Sequence, residues 1–487
     1  MAKNIMIQGT MSNAGKSLLA AALCRIFRQD GLRAAPFKSQ NMSLNSFISS
    51  DGGEMGRAQA VQAEAAGIAP DVRMNPILLK PTTDMGSQVI VGGRVLGNMR
   101  AAEYYKKKRE FIPDIMAAYE SLSEEYDVIV IEGAGSPAEI NLNKDDIVNM
   151  GLARMVDAPV LLVGDIDRGG VFAQLYGTVA LLSGEERARI KATVINKFRG
   201  DRTILEPGLD ILRDLCGVPV AGVIPYMNID IDDEDSLTKR FSNDKKRRLI
   251  DIAVIRLPRI SNFTDFSPFE RYDSVSLRYV THPRELEGAD MIMIPGTKST
   301  IEDLKWIRSR GLEAAVKHAA SNGTPVMGVC GGYQMLGRSI TDEGGSESEN
   351  TSSVRGMEML DMDTVFFKDK VQTQTRGVFS SVEGVLSSLN GLSYEGYEIH
   401  MGRSAQESSP LSGKGNVYGT YIHGIFDAEG ISERIIHALC AEKGVDPSLI
   451  NAYDTKVYKE REYDLLARIV RENIDMELIY RILNKEV

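Results

Sequence analysis

Short apolar runs alternate with helical patterns along the first half of the chain. The runs typical of buried strands lie at residues 5–7, 127–131, 159–163 and 192–195. The periodic segments typical of helices lie at residues 16–29, 58–66, 101–122 and 171–182. Strands that alternate with helices form parallel sheets covered on both faces, so this half predicts a doubly wound α/β domain.

A second α/β series follows a change in polarity. Residues 230–235 are mostly acidic and residues 245–248 are basic, which is typical of a solvated linker and places a domain boundary near residue 248. Further apolar strand patterns lie at residues 250–257, 291–294, 326–329 and 417–422. We therefore predict two doubly wound, mostly parallel-sheet domains over residues 1–240 and 249–445. A helical tail, residues 446–487, is expected to pack on the second domain.

Composition narrows the class of protein. The 487 residues carry a net charge of −10, which argues against a general nucleic-acid binder. The four cysteines form no CxxC pair, so neither a zinc site nor a disulfide framework is indicated. No segment approaches the roughly 18 unbroken apolar residues of a membrane span. We expect a soluble, cytoplasmic protein without a membrane or nucleic-acid partner.

The segment at residues 325–337 carries the strongest chemical signal. An apolar strand pattern ends at Cys330, two glycines follow, and a helical pattern then begins. This is the pattern of a nucleophile elbow, which exposes the nucleophile and leaves backbone N–H groups free for an oxyanion. The Gly331 N–H and the turn after Pro295, at Gly296, are the candidate donors.

A thiol nucleophile needs a base, and the chain has five histidines. His423 ends the apolar run at residues 417–422, so it is expected at the same sheet edge as Cys330. A Cys–His pair raises the thiolate fraction and supplies a proton to the leaving amine. His400 is the second choice.

A phosphate loop is predicted at residues 9–17, between the first strand and the first helix. Gly9, Thr10 and Gly15 would present backbone N–H groups to phosphate oxygens at the helix N-terminus. Lys16 would neutralise phosphate charge, and the Ser17 hydroxyl would reach Mg²⁺. Five residues separate the glycines, one more than in the standard pattern.

Other polar residues also follow strand patterns. Glu132 closes the strand at residues 127–131, where its carboxylate could hold Mg²⁺ directly or through water. Asn196 ends another strand and could contact the nucleotide base. Asp146 is a candidate for orienting ammonia or substrate, and a helix-start cap is the alternative interpretation.

The extended loop, a lysine after the second strand and the Glu132 strand end resemble dethiobiotin synthetase and its relatives. Those enzymes use ATP to activate a carboxylate or carbamate as a mixed phosphate anhydride. The resemblance implies that Lys38 helps to hold phosphate and that Asp51 joins the metal site.

The second half resembles the class I glutamine amidotransferases. That resemblance implies hydrolysis of L-glutamine through a thioester on Cys330, with release of ammonia. The family commonly places a glutamate two residues after the histidine, and here that position is Ile425. The acid that would be the third member of the Cys330–His423 site is therefore absent or comes from elsewhere in the chain, with Glu398 as one option. The cobalamin-type branch of the family lacks this acid.

Together, the two halves resemble the adenosylcobyric acid synthases over essentially the whole chain. The segments that carry this resemblance are residues 36–43, 132–142 and 165–172. It implies ATP- and glutamine-dependent amidation of the b, d, e and g carboxylates of adenosylcobyrinic acid a,c-diamide. Because free ammonia is protonated and lost in bulk water, we also expect a shielded path from Cys330 to the ATP site.

Two alternatives stay open at this point. The a,c-diamide synthase of the same pathway has the same two domains. A nucleotide-switch ATPase of the partitioning type, with a degenerate amidotransferase module, also carries a deviant phosphate loop, although an intact Cys330 elbow argues against it.

Overall fold

The structure, a computed structural model, describes residues 2–83, 86–231, 247–343, 345, 347, 353–404, 409–450 and 454–487. Its contacts divide the chain into two compact units. The first unit contains Met1–Ser43, Gly53–Glu234 and Lys459–Val487. The second contains Leu44–Gly52 and Asp235–Tyr458. Most of the predicted charged linker lies outside the described residues.

A six-stranded parallel sheet forms the centre of the first unit. Its strand order is Val220–Pro225, Ile190–Phe198, Val160–Asp165, Lys3–Gly9, Val128–Glu132 and Ala34–Phe37. Ile7 pairs with Glu132 on one side and with Leu161 on the other. Because these strands are parallel, the residues that follow their carboxyl ends share one edge of the sheet.

Helices cover this sheet, and the first of them begins and ends where the sequence predicts. The α-helices of residues 2–231 are Lys16–Gln29, Arg57–Ala66, Ala101–Lys107, Ile112–Glu125, Met150–Met155, Val171–Leu181, Gly184–Arg189 and Arg202–Cys216. The 3-10 helices are Val72–Met74, Lys108–Phe111 and Asn143–Asp145. The predicted helix at residues 101–122 is thus interrupted by a 3-10 turn.

A second, smaller sheet of the first unit was not predicted. It contains Gln40–Met42, Ile77–Thr83, Gly86–Val91 and Arg94–Arg100, and its last three strands are antiparallel. A further short strand of this unit is Glu54–Gly56, and the short strand Ser46–Ile48 belongs to the second unit.

The prediction that residues 446–487 pack on the second domain is wrong for Lys459–Val487, which belongs to the first unit. Leu466 is fully buried in the apolar core of that unit. Arg25 donates to Asp464 over 2.8 Å. An amphipathic helix shows in sequence which face is buried but not which surface buries it. The tail helices are Thr455–Asn473 and Met476–Leu483.

The second unit is also built on a parallel sheet. Its strand order is Val275–Val280, Ile250–Ile255, Met291–Ile294, Val326–Val329, Val417–Thr420 and Ser412–Lys414, of which only the last is antiparallel. Its α-helices are Ser267–Glu270, Thr300–Ser309, Leu312–Ser321, Gly331–Leu336 and Ile431–Lys443. The 3-10 helices are Phe263–Phe266, Pro283–Leu286, Gly384–Leu389, Ile425–Asp427 and Pro447–Leu449. The predicted mostly parallel α/β architecture is confirmed in both units.

The second sheet of this unit is built around a long hairpin. Its strands are Ser353–Arg355, Ser339–Thr341, Asp363–Val378, Ser393–Ser404 and Ile422–His423. The predicted strand at residues 417–422 is therefore divided between two sheets, and His423 pairs with Tyr397. Within the described ranges, no helix is long and apolar enough to cross a lipid bilayer.

Candidate active sites

The predicted phosphate loop connects the strand Lys3–Gly9 to the helix Lys16–Gln29. Gly15 precedes the helix with φ 100°, and a Cβ there would lie 1.9 Å from Asn196 Nδ2. Asn196 Nδ2 in turn donates to Ala14 O over 2.9 Å. Only glycine fits such a conformation and such a close approach. Asn196 therefore lies beside the loop, and its contact with the nucleotide base stays a prediction.

Asn196 has further hydrogen-bonding capacity. Its Oδ1 is buried and has no hydrogen-bond partner among the residues that the structure describes. A buried acceptor without a partner is costly, so such an atom often marks a ligand contact. An amino group of a nucleotide base would suit it.

Lys16 lies over the loop. Its Nζ donates to Met11 O over 3.1 Å and to Gly135 O over 3.2 Å. The ammonium group is thus held at the helix N-terminus, where backbone N–H groups and the helix dipole already favour an anion. Lys16 is 6% exposed despite its charge.

Glu132 is the centre of the polar cluster beside the loop. Its Oε1 accepts hydrogen bonds from Ser17 Oγ and from Lys38 Nζ, both over 2.8 Å. Its Oε2 accepts from Gln62 Nε2 over 2.6 Å and from Gln59 Nε2 over 3.3 Å. The structure thus brings together Ser17, Lys38 and Glu132, and it adds two glutamines that the sequence reasoning missed. Their spacing of three residues on one helix was the available signal.

A magnesium ion would find suitable donors here. The Ser17 hydroxyl and the Glu132 carboxylate are the hard oxygen ligands that Mg²⁺ prefers, usually together with phosphate oxygens and water. Across the described part of the chain, no three His, Cys, Asp or Glu side chains cluster as metal ligands. Two oxygen donors from the protein suit an ion that also binds phosphate oxygens and water.

Other predicted residues of the first unit have structural partners. Thr10 Oγ1 donates to Gln174 Oε1 over 3.1 Å. The Asp146 carboxylate accepts from the backbone N–H groups of Val148, Asn149 and Gly151 over 2.8–3.0 Å. This is the arrangement of a helix-start cap, the alternative interpretation of Asp146.

An ion pair between a buried aspartate and a half-buried lysine was missed on the same sheet edge. Lys197 Nζ lies 2.8 Å from Asp165 Oδ2, and it also donates to Asn13 O in the loop over 2.5 Å. Both residues are at or near the ends of strands, which was the signal. Asp51, in contrast, belongs to the second unit, where it accepts from Ser49 Oγ over 2.5 Å.

In the second unit, Cys330 occupies a sharp turn between the strand Val326–Val329 and the helix Gly331–Leu336. Its φ of 50° and ψ of −109° are rare for a residue with a side chain. A Cβ at Gly332 would lie 2.0 Å from Ile294 O, so the helix can begin this close to the neighbouring strand only with glycine. This is the predicted nucleophile elbow.

The two predicted oxyanion residues also converge. A Cβ at Gly331 would lie 3.2 Å from Thr297 N, and one at Gly296 would lie 3.1 Å from His423 Cε1. The turn at residues 295–299 is anchored, since Gly296 O accepts from Ser261 N over 2.9 Å. Cys330, the two glycines and His423 thus surround one small region.

His423 is buried and has an acidic partner. Its Nδ1 lies 2.7 Å from Asp265 Oδ2, and Asp265 Oδ1 accepts from Gly424 N over 2.9 Å. Burial alone would lower the pKa of His423, but the nearby Asp265 carboxylate and the Cys330 thiolate raise this pKa to about 10. The sequence reasoning missed Asp265. Its place in a run of buried aromatic residues, in the 3-10 helix Phe263–Phe266, was the only available signal.

Glu398 and His400 form a separate pair. His400 Nε2 lies 3.1 Å from Glu398 Oε2, and His400 Nδ1 lies 2.7 Å from Gly402 O. The His400 ring also stacks on Tyr421 with centroids 4.0 Å apart. The hypothesis that Glu398 supplies the third member therefore has no support, since its carboxylate is paired with the other histidine.

Cys330 differs from the other three cysteines. Burial raises the pKa of Cys24, Cys216 and Cys440, which suits inert core thiols. Only Cys330 combines a strained turn with an interacting histidine among the described residues.

Known proteins resemble both units. Residues 5–237 match the CobQ/CobB/MinD/ParA nucleotide binding domain, and residues 251–431 match the CobB/CobQ-like glutamine amidotransferase domain. The chain thus contains a nucleotide-binding domain followed by a glutamine amidotransferase domain.

Similar proteins match over the full length. The chain is 57% identical to a cobyric acid synthase of Ruminiclostridium cellulolyticum, over 100% of this chain and 98% of the relative. A cobyric acid synthase of Lachnoclostridium phytofermentans is also 57% identical, over 100% of both chains. One from Citrobacter koseri is 49% identical, over 100% of this chain and 99% of the relative. The chain therefore belongs to the cobyric acid synthase family.

Proposed function

We propose that the protein uses ATP and ammonia from glutamine to convert the b, d, e and g carboxylates of adenosylcobyrinic acid a,c-diamide into amides. The observation that carries this proposal is the convergence of Cys330, His423, Gly296 and Gly331 in a chain that also has a phosphate loop. The relatives' name, cobyric acid synthase, supports the identity of the product.

The glutaminase step uses the second unit. The Cys330 thiolate attacks the side-chain amide carbon of glutamine, and backbone N–H groups at Gly331 and Gly296 stabilise the oxyanion. His423 gives its proton to the departing nitrogen, so ammonia leaves and a thioester forms. Water, with its proton taken by His423, then cleaves the thioester to give glutamate and the free thiol.

The amide-forming step uses the first unit. ATP with Mg²⁺ would supply the γ-phosphoryl group that turns a carboxylate into an acyl phosphate, with ADP as the leaving group. Ammonia then displaces inorganic phosphate from the acyl carbon to give the amide. Lys16 and Lys38 offset negative charge near the loop, and backbone N–H groups of Gly9, Thr10 and Gly15 cradle phosphate oxygens. Their preorganisation in a buried site is what makes these charges effective.

Further roles in this step are part of the proposal. Ser17 and Glu132 would hold Mg²⁺, and no ligand role is proposed for Asp51, which belongs to the second unit. Asn196 accepts a hydrogen bond from the base through its buried Oδ1. Asp146 is a candidate for orienting ammonia or substrate, and its carboxylate also accepts from the backbone N–H groups of Asn149 and Gly151.

The substrate assignment is tested by supplying different corrinoids. Purified protein is given glutamine, ATP and Mg²⁺ with either cobyrinic acid or adenosylcobyrinic acid a,c-diamide, and the amides formed are counted by mass spectrometry. We expect four new amides on the a,c-diamide. Amidation of cobyrinic acid alone would instead identify an a,c-diamide synthase.

The roles of the two units are separated by Cys330→Ala. We expect this variant to lose glutamine-dependent amidation and to retain amidation with added ammonium salt. Cys440→Ala, a buried cysteine of the same unit, is the matched control and should keep both activities. Continued use of glutamine by Cys330→Ala would show that the nucleophile is assigned wrongly.

A further inference from the structure

The glutaminase site has an acid that does not come from the usual position. Residue 425, two residues after His423, is a buried isoleucine. The carboxylate beside the histidine belongs instead to Asp265, which lies 158 residues earlier in the chain. We propose that Asp265 is the positioning residue of this site and completes a Cys330–His423–Asp265 triad. This inference rests on the proposed glutaminase function.

Asp265 determines which nitrogen of His423 is available. Because Nδ1 is paired with Asp265 over 2.7 Å, Nε2 is the nitrogen that serves the Cys330 thiol. A carboxylate in this position fixes the ring orientation and stabilises the imidazolium that forms when the thiol loses its proton. The second carboxylate oxygen accepts from Gly424 N and so holds the backbone next to the histidine.

Asp265 is itself held rigidly. It is 4% exposed, and its backbone N–H donates to Asn262 O over 3.0 Å. Its neighbour Phe266 is fully buried and packs on Phe426, with ring centroids 6.2 Å apart. A rotation of the carboxylate away from His423 would leave a buried charge without its partner, which is costly.

The effect of Asp265 on pH dependence has a definite sign. The titratable groups around His423 are Asp265, Cys330 and Tyr397, whose ring stacks on the imidazole with centroids 5.6 Å apart. Removing the Asp265 charge withdraws one of the two charges that raise the pKa of His423. The His423 imidazolium then loses its proton at lower pH, and the ion pair that it forms with the Cys330 thiolate is lost with it.

The test compares Asp265→Asn, Asp265→Glu and Glu398→Gln. We expect Asp265→Asn to lower kcat for glutamine hydrolysis by about 10²-fold or more with little change in KM. The alkaline limb of its pH profile should move to lower pH, and Asp265→Glu should recover part of the activity. Glu398→Gln removes the other nearby acid and should behave like wild type.

Two further measurements separate a positioning role from a folding defect. Ammonium-dependent amidation reports the first unit and should be unchanged in Asp265→Asn. The rate of Cys330 alkylation by iodoacetamide reports the thiolate and should fall in this variant without any turnover. Wild-type kcat and an unmoved alkaline limb in Asp265→Asn would overturn the triad, while the proposed function would stand. A wild-type protein without glutaminase activity would overturn both.

A second inference concerns the segment Leu44–Gly52, which belongs to the second unit. Tyr397 donates from its hydroxyl to Ser46 O over 2.8 Å. Ser46 N donates to Asn262 Oδ1 over 3.0 Å, and Asn262 Nδ2 donates to the Tyr397 hydroxyl over 3.3 Å. Ser46, Asn262 and Tyr397 thus form a closed hydrogen-bonded triangle.

Each partner of this segment contacts part of the glutaminase site. The Tyr397 ring stacks on His423, and Asn262 O accepts from the backbone of Asp265. Ile48 packs with Ile399, whose carbonyl oxygen lies 3.7 Å from Cys330 Sγ. The partners of this short segment therefore contact all three members of the triad.

Residues on both sides of this segment, through Ser43 and from Gly53, belong to the first unit. Lys38, a predicted phosphate ligand, precedes Leu44 by only six residues in the sequence. We infer that Leu44–Gly52 is a coupling segment, through which ligand binding at the phosphate loop changes glutamine hydrolysis. This inference also rests on the proposed function.

Tyr397→Phe tests the coupling, because it keeps the ring and removes the hydroxyl that bonds Ser46. Glutamine hydrolysis is measured with and without a non-hydrolysable ATP analogue plus corrinoid, and the ratio of the two rates is compared. We expect the variant to lower this ratio by about two- to tenfold, the worth of one hydrogen bond. Tyr394→Phe, on the same strand, is the control and should keep the wild-type ratio. An unchanged ratio in Tyr397→Phe, or a wild-type ratio of one, would overturn the coupling.

Discussion

Ser17 donates a hydrogen bond to Glu132 over 2.8 Å, although 115 residues separate them in sequence. The parallel sheet produces this contact, because the strands before each residue are direct neighbours and end at the same edge. Lys38, from the strand on the other side of Glu132, reaches the same carboxylate oxygen. Residues at or beyond the carboxyl ends of three neighbouring strands thus form one charged cluster beside the phosphate loop.

This cluster predicts strong coupling between Lys38 and Glu132. Glu132→Gln removes the carboxylate charge that faces the buried Lys38 ammonium group and should destabilise the protein by about 3–5 kcal/mol. Lys38→Met should cost a similar amount. The double variant should cost less than the sum of the two, which chemical denaturation of all four proteins measures as a double-mutant cycle. Strict additivity would contradict the pairing.

The phosphate loop predicts a specific requirement for glycine. Gly15→Ala places a Cβ at a φ of 100° and 1.9 Å from the Asn196 amide nitrogen, so it should abolish ATP binding. Gly31→Ala is the matched control, since it has a φ of 85° but no atom within 4 Å of the added Cβ. Both should lose about 1–2 kcal/mol of stability from backbone strain. Calorimetric titration measures the affinity of each variant for ATP. Equal affinities of the two variants would contradict the interpretation.

Local patterns predicted the parts of each site that are close together in sequence. The Cys330 elbow and the phosphate loop each lie within one strand–turn–helix unit, so their spacing alone indicates their geometry. His423 and Glu132 were found because each ends an apolar strand. Those signals depend only on residues that are close in sequence, so contacts with distant parts of the chain did not change them.

Non-local partners could not be predicted in this way. Asp265 meets His423 through a 3-10 helix that no periodic pattern marks, and the usual position of the acid is occupied by Ile425. The sequence of the helix that contains Leu466 indicates an apolar face, but it does not indicate the surface on which this face packs. In the long hairpin, only Thr364 and Phe366 of the strand Asp363–Val378 are buried, and exposed and half-buried residues interrupt the buried ones along Ser393–Ser404. Neither strand therefore has the continuous apolar pattern of the central strands.

Because Lys459–Val487 belongs to the first unit, substitutions at two positions of the helix Thr455–Asn473 should change the stability of the protein unequally. Leu466→Ala removes a fully buried side chain and should destabilise the first unit by about 2–5 kcal/mol. Val457→Ala, at a position that is 65% exposed, should have little effect. Hydrogen exchange of the strand Lys3–Gly9 reports the first unit directly. Faster exchange only in the second unit would contradict the assignment.

The raised pKa of His423 predicts how stability depends on pH. The folded protein holds this proton up to a pH of about 10, whereas an ordinary histidine loses it near 6.5. The stabilisation from the charged imidazole is therefore complete below pH 6.5 and is lost as pH rises toward about 10. Between these pH values, the denaturation midpoint of wild type should fall relative to that of His423→Gln. Parallel pH curves for the two proteins would contradict the raised pKa.

The central claim is that nitrogen released at Cys330 becomes the amide formed with ATP. Wild type and Cys330→Ala are each given ATP, the corrinoid a,c-diamide, glutamine labelled with nitrogen-15 in its side-chain amide, and unlabelled ammonium. Mass spectrometry of the product then reads the source of each new amide. Direct use of this nitrogen predicts labelled amides from wild type and only unlabelled amides from Cys330→Ala. Unlabelled product from wild type, or labelled product from the variant, would contradict the account.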